Sequence, residues 1–181
     1  WNNTTADSSN PVAVSLGLNV SKIEAGSNHT CIINTSSKVY CWGQNSDGQL
    51  GDNTTTYKAT PVSIYTSGAS SIYASYTIRD ITAGWAHTCV VVNETEKVSC
   101  WGDDTYYQVG ASTVMARFTI PTEVDPSFGF NSSKRVSKFL SGSNHTCILD
   151  TLGDLYCWGD GTYYQNGSTA TVTKPALRTF S

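Results

Sequence analysis

At 181 residues with a net charge of −3 and 14% charged residues, the chain is sized for one domain and has no basic cluster for nucleic acid or an anionic membrane surface. Ser and Thr fill 47 positions, so the surface is expected to be rich in hydroxyls rather than ions. No apolar run approaches the ~20 residues that span a bilayer, the longest clear one being Val90-Val91-Val92, and any leader before Trp1 is expected to have been removed.

In chain order, Asn3-Thr-Thr and Pro11-Val-Ala-Val14 anticipate Asn53-Thr-Thr and Pro61-Val-Ser-Ile64, and Val20-Ser-Lys-Ile23 reads as a strand. Then comes Ala25-Gly-Ser-Asn-His-Thr-Cys31, which returns as Ala83-Gly-Trp-Ala-His-Thr-Cys89 and Ser141-Gly-Ser-Asn-His-Thr-Cys147, 58 residues apart both times. Each is followed by Cys-Trp-Gly (Cys41, Cys100, Cys157), by Gln-x-Gly (Gln49, Gln108, Gln165) and by a Pro (Pro61, Pro121, Pro175). The chain divides into repeats at 1–50, 51–110 and 111–164, with a fourth begun at 165–181. Pieces such as Thr77-Ile-Arg-Asp-Ile-Thr82 and Pro61-Val-Ser-Ile-Tyr65 add further strands, Pro61 being expected at a strand start, where its missing N–H costs least. Helix signals are absent throughout.

Between the two Cys of each copy the pattern predicts a β-hairpin. In the third, Gly153 is placed to supply the positive φ of a short loop. Pairing each Cys across its hairpin sets Ile33 opposite Val39, Val91 opposite Val98 and Leu149 opposite Leu155, with Ile32/Tyr40, Val90/Ser99 and Ile148/Tyr156 on the other face. A hairpin apolar on both faces needs a sheet against each. Propeller blades meet that need, and so would a layer of a sandwich; the 58-residue period favours an all-β array of three antiparallel propeller-type blades.

The run Trp42-Gly-Gln-Asn-Ser-Asp-Gly-Gln-Leu-Gly51 with Thr60-Pro-Val62 resembles the regulator-of-chromosome-condensation repeat. The likeness covers nearly the whole chain and is closest to the extracellular, Cys-paired branch of that family. It implies four-stranded blades, usually seven to a ring. Gly48 becomes Tyr107 and Tyr164, and Leu50 becomes Asn166, so that turn is expected to be rebuilt in copies two and three. Three copies do not close a ring of four to eight blades. Both ends fall mid-repeat and are expected to want a partner, through self-association or further repeats.

Cys31–Cys41, Cys89–Cys100 and Cys147–Cys157 are read as structural disulfides across neighbouring strands; a zinc site would need ligands converging from several copies. His29, His87 and His145 recur in every copy and are read as buried imidazoles bonding nearby backbone, since a catalytic set would appear once. Asp103, Asp104 and Asp160 are read as turn closers in preference to calcium ligands, and Trp42, Trp101 and Trp158 as wedges between blades. Trp85, Tyr106, Tyr107, Tyr163 and Tyr164 do not recur in all copies, which makes them the candidates for sugar stacking or a partner interface. Ten of the twelve Asn stand in glycosylation sequons: Asn2, Asn3, Asn19, Asn28, Asn34, Asn53, Asn93, Asn131, Asn144 and Asn166. Asn19, Asn34, Asn53, Asn93 and Asn131 are expected in accessible turns or loops.

No catalytic set, cofactor or metal is expected. Nucleotide exchange on a small GTPase, which the nuclear founder of the family performs, finds no matching residue here. The reading is a secreted, N-glycosylated structural or adhesive module, part of a fibril or surface coat. The alternative is a secreted binding propeller, lectin-like or inhibitor-like, that uses its loop aromatics.

Overall fold

The computed structural model describes residues 8–10, 13, 17–64, 75–113, 115–128, 130–131 and 133–178. Asn2, Asn3 and most of the Pro11–Val14 segment lie outside them, as does the tail beyond 178. The described residues form three four-stranded antiparallel sheets, the blades expected from the repeat. Blade 1 comprises β1 (Val20–Ala25), β2 (His29–Asn34), β3 (Val39–Gly43) and β4 (Lys58–Ser63) in that order. Blade 2 comprises β5 (Ile78–Ala83), β6 (His87–Val92), β7 (Val98–Asp103) and β8 (Arg117–Glu123). Blade 3 comprises β9 (Val136–Ser141), β10 (His145–Asp150), β11 (Leu155–Gly159) and β12 (Val172–Arg178). A 3₁₀ turn at Pro126–Phe128, closed by Asp125 Oδ1 accepting from the Ser127 amide, departs from the all-strand expectation.

Hairpin register follows the Cys spacing. Cys31 pairs with Cys41, Cys89 with Cys100 and Cys147 with Cys157, and Ile33/Val39, Val91/Val98 and Leu149/Leu155 stand opposite one another. All three pairs are disulfide-bonded, with no free cysteine. By loop-closure entropy each bridge contributes roughly 2.7 kcal/mol. Loop-tip Gly153 has φ 91°, as its place in the hairpin demands.

The prolines are not at strand starts. Pro61, Pro121 and Pro175 lie inside β4, β8 and β12, each within the irregularity that separates the Cys partner from the Gly partner of the ladder. These are the outermost strands, and a bulge on an edge needs no N–H there, so the interior position costs no hydrogen bond.

The turn after Trp-Gly is not rebuilt. Gly48, Tyr107 and Tyr164 all take left-handed φ, at 80°, 62° and 64°. The same two backbone bonds recur around them: Gly48 N to Asn45 O and Gly51 N to Gly48 O in blade 1, and their counterparts at Tyr107/Gly110 and Tyr164/Gly167. In blade 1 this turn lies against β8 of the next blade, Arg117 donating to the Ser46 carbonyl and the Asn53 amide to the Thr119 carbonyl, and the same turn shape recurs where tyrosine stands in place of glycine. That conformation costs an L-residue about 1–2 kcal/mol, against which glycine's extra unfolded-state freedom must be set. Tyr164→Gly, at an exposed position, is expected to raise stability by about 0.5–1 kcal/mol in urea unfolding under non-reducing conditions.

Candidate functional site

The blades are joined by one repeated device. Thr88 Oγ1 donates to the Gln49 carbonyl (2.9 Å) and accepts from His29 Nε2 (2.9 Å), so blade 1 supplies the imidazole and the carbonyl and blade 2 the hydroxyl. Thr146 Oγ1 does the same for the Gln108 carbonyl (3.1 Å) and His87 Nε2 (3.0 Å). The buried indoles close the joint: Trp101 Nε1 donates to the Gln49 carbonyl and Trp158 Nε1 to the Gln108 carbonyl, both at 2.9 Å. The histidine partner is therefore a hydroxyl of the next blade and not nearby backbone. The hydroxyl proton is committed to the carbonyl, so Nε2 must carry the imidazole proton. Burial holds His29 down to about 4 and His87 to about 3; His145, expected to be buried, is only half-buried, and burial lowers it as well, so the rings stay neutral. A Cβ on Gly84 would sit 2.1 Å from His87 Cε1, so the ring occupies space that only glycine leaves.

A second joint lies nearer the rim. Buried Glu96 pairs with Arg79 of its own blade (2.7 Å) and with Arg135 (2.9 Å), and accepts from the Val136 amide at the start of β9 (3.2 Å). Lys22 and Asp80 form an ion pair between blades 1 and 2. Neither Glu96 nor the joint threonines stood out in the sequence. Thr is present in every His-Thr-Cys, but its partner lies in another blade.

The non-recurring aromatics do not form one patch. Trp85 is 56% exposed and borders a groove of about 300 Å³ with Asn28, Gln44, Asp47, Ala86, Asp103 and Thr105. Its amide donates to the Ser143 carbonyl, which holds the loop in place. Tyr106, Tyr107, Tyr163 and Tyr164 line no part of that groove. Tyr106, Tyr163 and Tyr164 are exposed, whereas Tyr107 is half-buried.

Asp103 and Asp160 each accept from the amide and hydroxyl of the Thr two residues on, which closes the turn. Among the described residues no group of three or more His, Cys, Asp or Glu is placed to hold a metal. Asp104 differs. It occupies the place of Asn45, whose Oδ1 accepts from the Leu50 amide and whose Nδ2 donates to the Thr54 and Thr56 carbonyls. Asp104 Oδ1 keeps the first bond, to the Val109 amide, but an ionised carboxylate has no proton for the second. Burial, helped by neighbouring Asp103, pushes Asp104 up to about 7.

Of the sequons, Asn19, Asn28, Asn53, Asn93 and Asn131 are exposed, and Asn144 is half-buried. Asn34, expected to be accessible, is buried, its Oδ1 closing the hairpin loop by accepting from the Ser36 and Lys38 amides. Asn166 is fully buried and its Nδ2 donates to the Gly159 and Ala170 carbonyls, so a glycan on that nitrogen and this fold exclude each other.

Disulfide-stapled blades joined side by side, with their repeated residues consumed in the joints, define an arc of a β-propeller. The regulator of chromosome condensation (RCC1) repeat matches at residues 20–49, 78–108 and 137–165, and a second form of the same repeat at 36–91. The chain belongs to this family. It is 28% identical to the human regulator of chromosome condensation over 159 residues, covering 87% of this chain and 35% of that protein. To the Arabidopsis thaliana ultraviolet-B receptor UVR8 it is 26% identical over 157 residues, 87% and 33% of the two chains. Among solved structures it superposes on human WBSCR16 with a TM-score of 0.75 (21% identity, 91% of this chain and 40% of that one). It superposes on Prp20p from Saccharomyces cerevisiae with 0.72 (21%, 90% and 39%). The chain thus spans about a third of the length of these curated relatives.

Two outcomes test the site chemistry. Thr88→Val strands a buried imidazole N–H and shares the Gln49 carbonyl with Trp101 alone, so it should lower stability by about 1–3 kcal/mol in urea unfolding, whereas Thr88→Ser should restore most of the loss. For Asp104 the folded form binds its proton more tightly than the unfolded chain, so its contribution is present near pH 4 and is lost as pH rises towards 7. Asp104→Asn should therefore match the parent in melting temperature at pH 4.5 and exceed it at pH 8.

Proposed function

We propose that this chain is a non-catalytic, secreted repeat module: a glycan-bearing structural or adhesive element that is built blade by blade into a fibril or surface coat. The observation that carries the reading is the fate of the recurring residues. At both junctions between the blades the recurring His, Thr, Trp and Gln are spent on joining one blade to the next, and in all three blades the Cys pair is spent on holding the hairpin. Three disulfides support an oxidising compartment, and the exposed sequons support a glycan coat. Among the described residues no helix is long and apolar enough to cross a membrane.

Prp20p is described by its binding to Gsp1p and histones. A second reading for this chain is accordingly a secreted binding propeller. The exposed Trp85 indole beside Asn28, Gln44, Asp47, Asp103 and Thr105 favours it, since an aromatic face rimmed by hydrogen-bonding groups suits a sugar ring.

The test is electron imaging of the secreted chain, with intact-mass analysis before and after peptide N-glycosidase treatment. Assemblies that carry glycans at the exposed sequons, with Asn166 bare, are expected. Dispersed particles without enzyme-sensitive mass would overturn the reading. Glycan-array binding that is lost in Trp85→Ala would move the conclusion to the second.

A further inference from the structure

The Trp85 indole makes none of the hydrogen bonds that join the blades. It is 56% exposed at a place where blades 1 and 3 carry Ser27 and Ser143, so the packing of a blade does not ask for an aromatic ring there. Its amide is held by the Ser143 carbonyl, and the residue borders the groove that blade 1 lines with Asn28, Gln44 and Asp47. Asn28 heads the sequon Asn28-His29-Thr30 and is exposed. Its main-chain carbonyl accepts from the Gln44 amide, and among the described residues its side-chain amide bonds nothing, unlike those of Asn34 and Asn166, which are held inside the fold. The second junction is an internal control. There Ala86, which heads no sequon, takes the position of Asn28, and Ser143 takes the position of Trp85. The indole stands where the preceding blade carries a glycosylation signal and is missing where it does not.

We infer that Trp85 is the seat of an N-glycan carried by Asn28, its first ring, an N-acetylhexosamine, lying on the indole, so that a sugar bonded to blade 1 rests on blade 2. Attachment forms a bond from Asn28 Nδ2 to the anomeric carbon of an oligosaccharide delivered on a lipid diphosphate; the amide gives up one proton and the lipid diphosphate departs as the leaving group. The C–H face of the pyranose then covers indole surface that otherwise meets water, against the negative face of the aromatic ring. Gln44 Nε2 and Asp47 Oδ2 are engaged with Ser46 Oγ, which leaves Gln44 Oε1 and Asp47 Oδ1 to accept from the acetamide N–H and the sugar hydroxyls. The inference rests on the glycan-bearing part of the proposed function and assigns the groove to the chain's own sugar in place of a free one.

The test takes the secreted 181-residue chain and follows, site by site, the release of glycans from the native protein by peptide N-glycosidase, read as Asn-to-Asp conversion in peptide mass spectra. Trp85→Ser carries the side chain of the other two copies and should match the parent in circular dichroism and disulfide content, while Trp85→Phe keeps an aromatic face. The Asn28 glycan is expected to leave about five- to tenfold more slowly from the parent and from Trp85→Phe than from Trp85→Ser, with release at Asn93 alike in all of them. Asn28→Gln should lower the melting temperature by about 2–4 °C in the parent and leave that of Trp85→Ser unchanged. Equal release from the parent and Trp85→Ser, or an Asn28 that stays bare while the other exposed sequons are occupied, would overturn the inference and leave the glycan reading standing. A chain with no enzyme-sensitive mass at any sequon would remove both.

Discussion

The whole arrangement depends on a hydroxyl poised between an imidazole and a main-chain carbonyl of the adjacent blade. Each blade is a small sheet, apolar on both faces, that has little reason to remain single. Its side faces are covered only by neighbours, and apolar burial alone leaves the rotation between neighbours loosely set. The His–Thr–Gln carbonyl bonding, with the indole N–H closing on the same carbonyl, supplies direction: three groups must meet within about 3 Å, deep enough that water cannot substitute. Neutral imidazoles are essential, since a charged ring in that place would need a counter-ion that the joint lacks.

The same constraint accounts for features that look unrelated when taken singly. Glycine precedes each histidine because the ring lies across its Cα. The turn after Trp-Gly holds tyrosine in a left-handed conformation because that turn delivers the Gln carbonyl to the joint, and backbone strain is tolerated where the surrounding contacts over-determine it. Asp104, in an asparagine's place, tolerates a raised proton affinity for the same reason: the loop it closes carries Gln108.

Residues that vary between copies fall outside the joint. Trp85 stands in for a serine, faces solvent, and borders a polar groove that runs between blades 1 and 2. Glu96 and its two arginines tie blade 2 to blade 3 at the rim, while Lys22 and Asp80 do so between blades 1 and 2, so the rim contacts are individual where the inner joint is repeated. A repeat family can diverge at such positions without disturbing how the blades stack.

Short-range geometry was readable from the residues. A Cys pair across a tight hairpin dictates which side chains stand opposite, because the loop is too short to permit another register, and the 58-residue recurrence announced blades of one design. What the chain spells locally, it also forms locally. The contacts between blades were decided in three dimensions: Thr88 as the partner of His29, the burial of Asn34 within an accessible-looking sequon, and the separation of Trp85 from the tyrosine pairs. Pro61 within a bulge belongs with them, since only the finished sheet makes β4 an edge. Each of these turns on which surface ends up against which. Side chains about 58 residues apart along the chain become neighbours only after both sheets exist, and no local pattern encodes the angle at which those sheets meet.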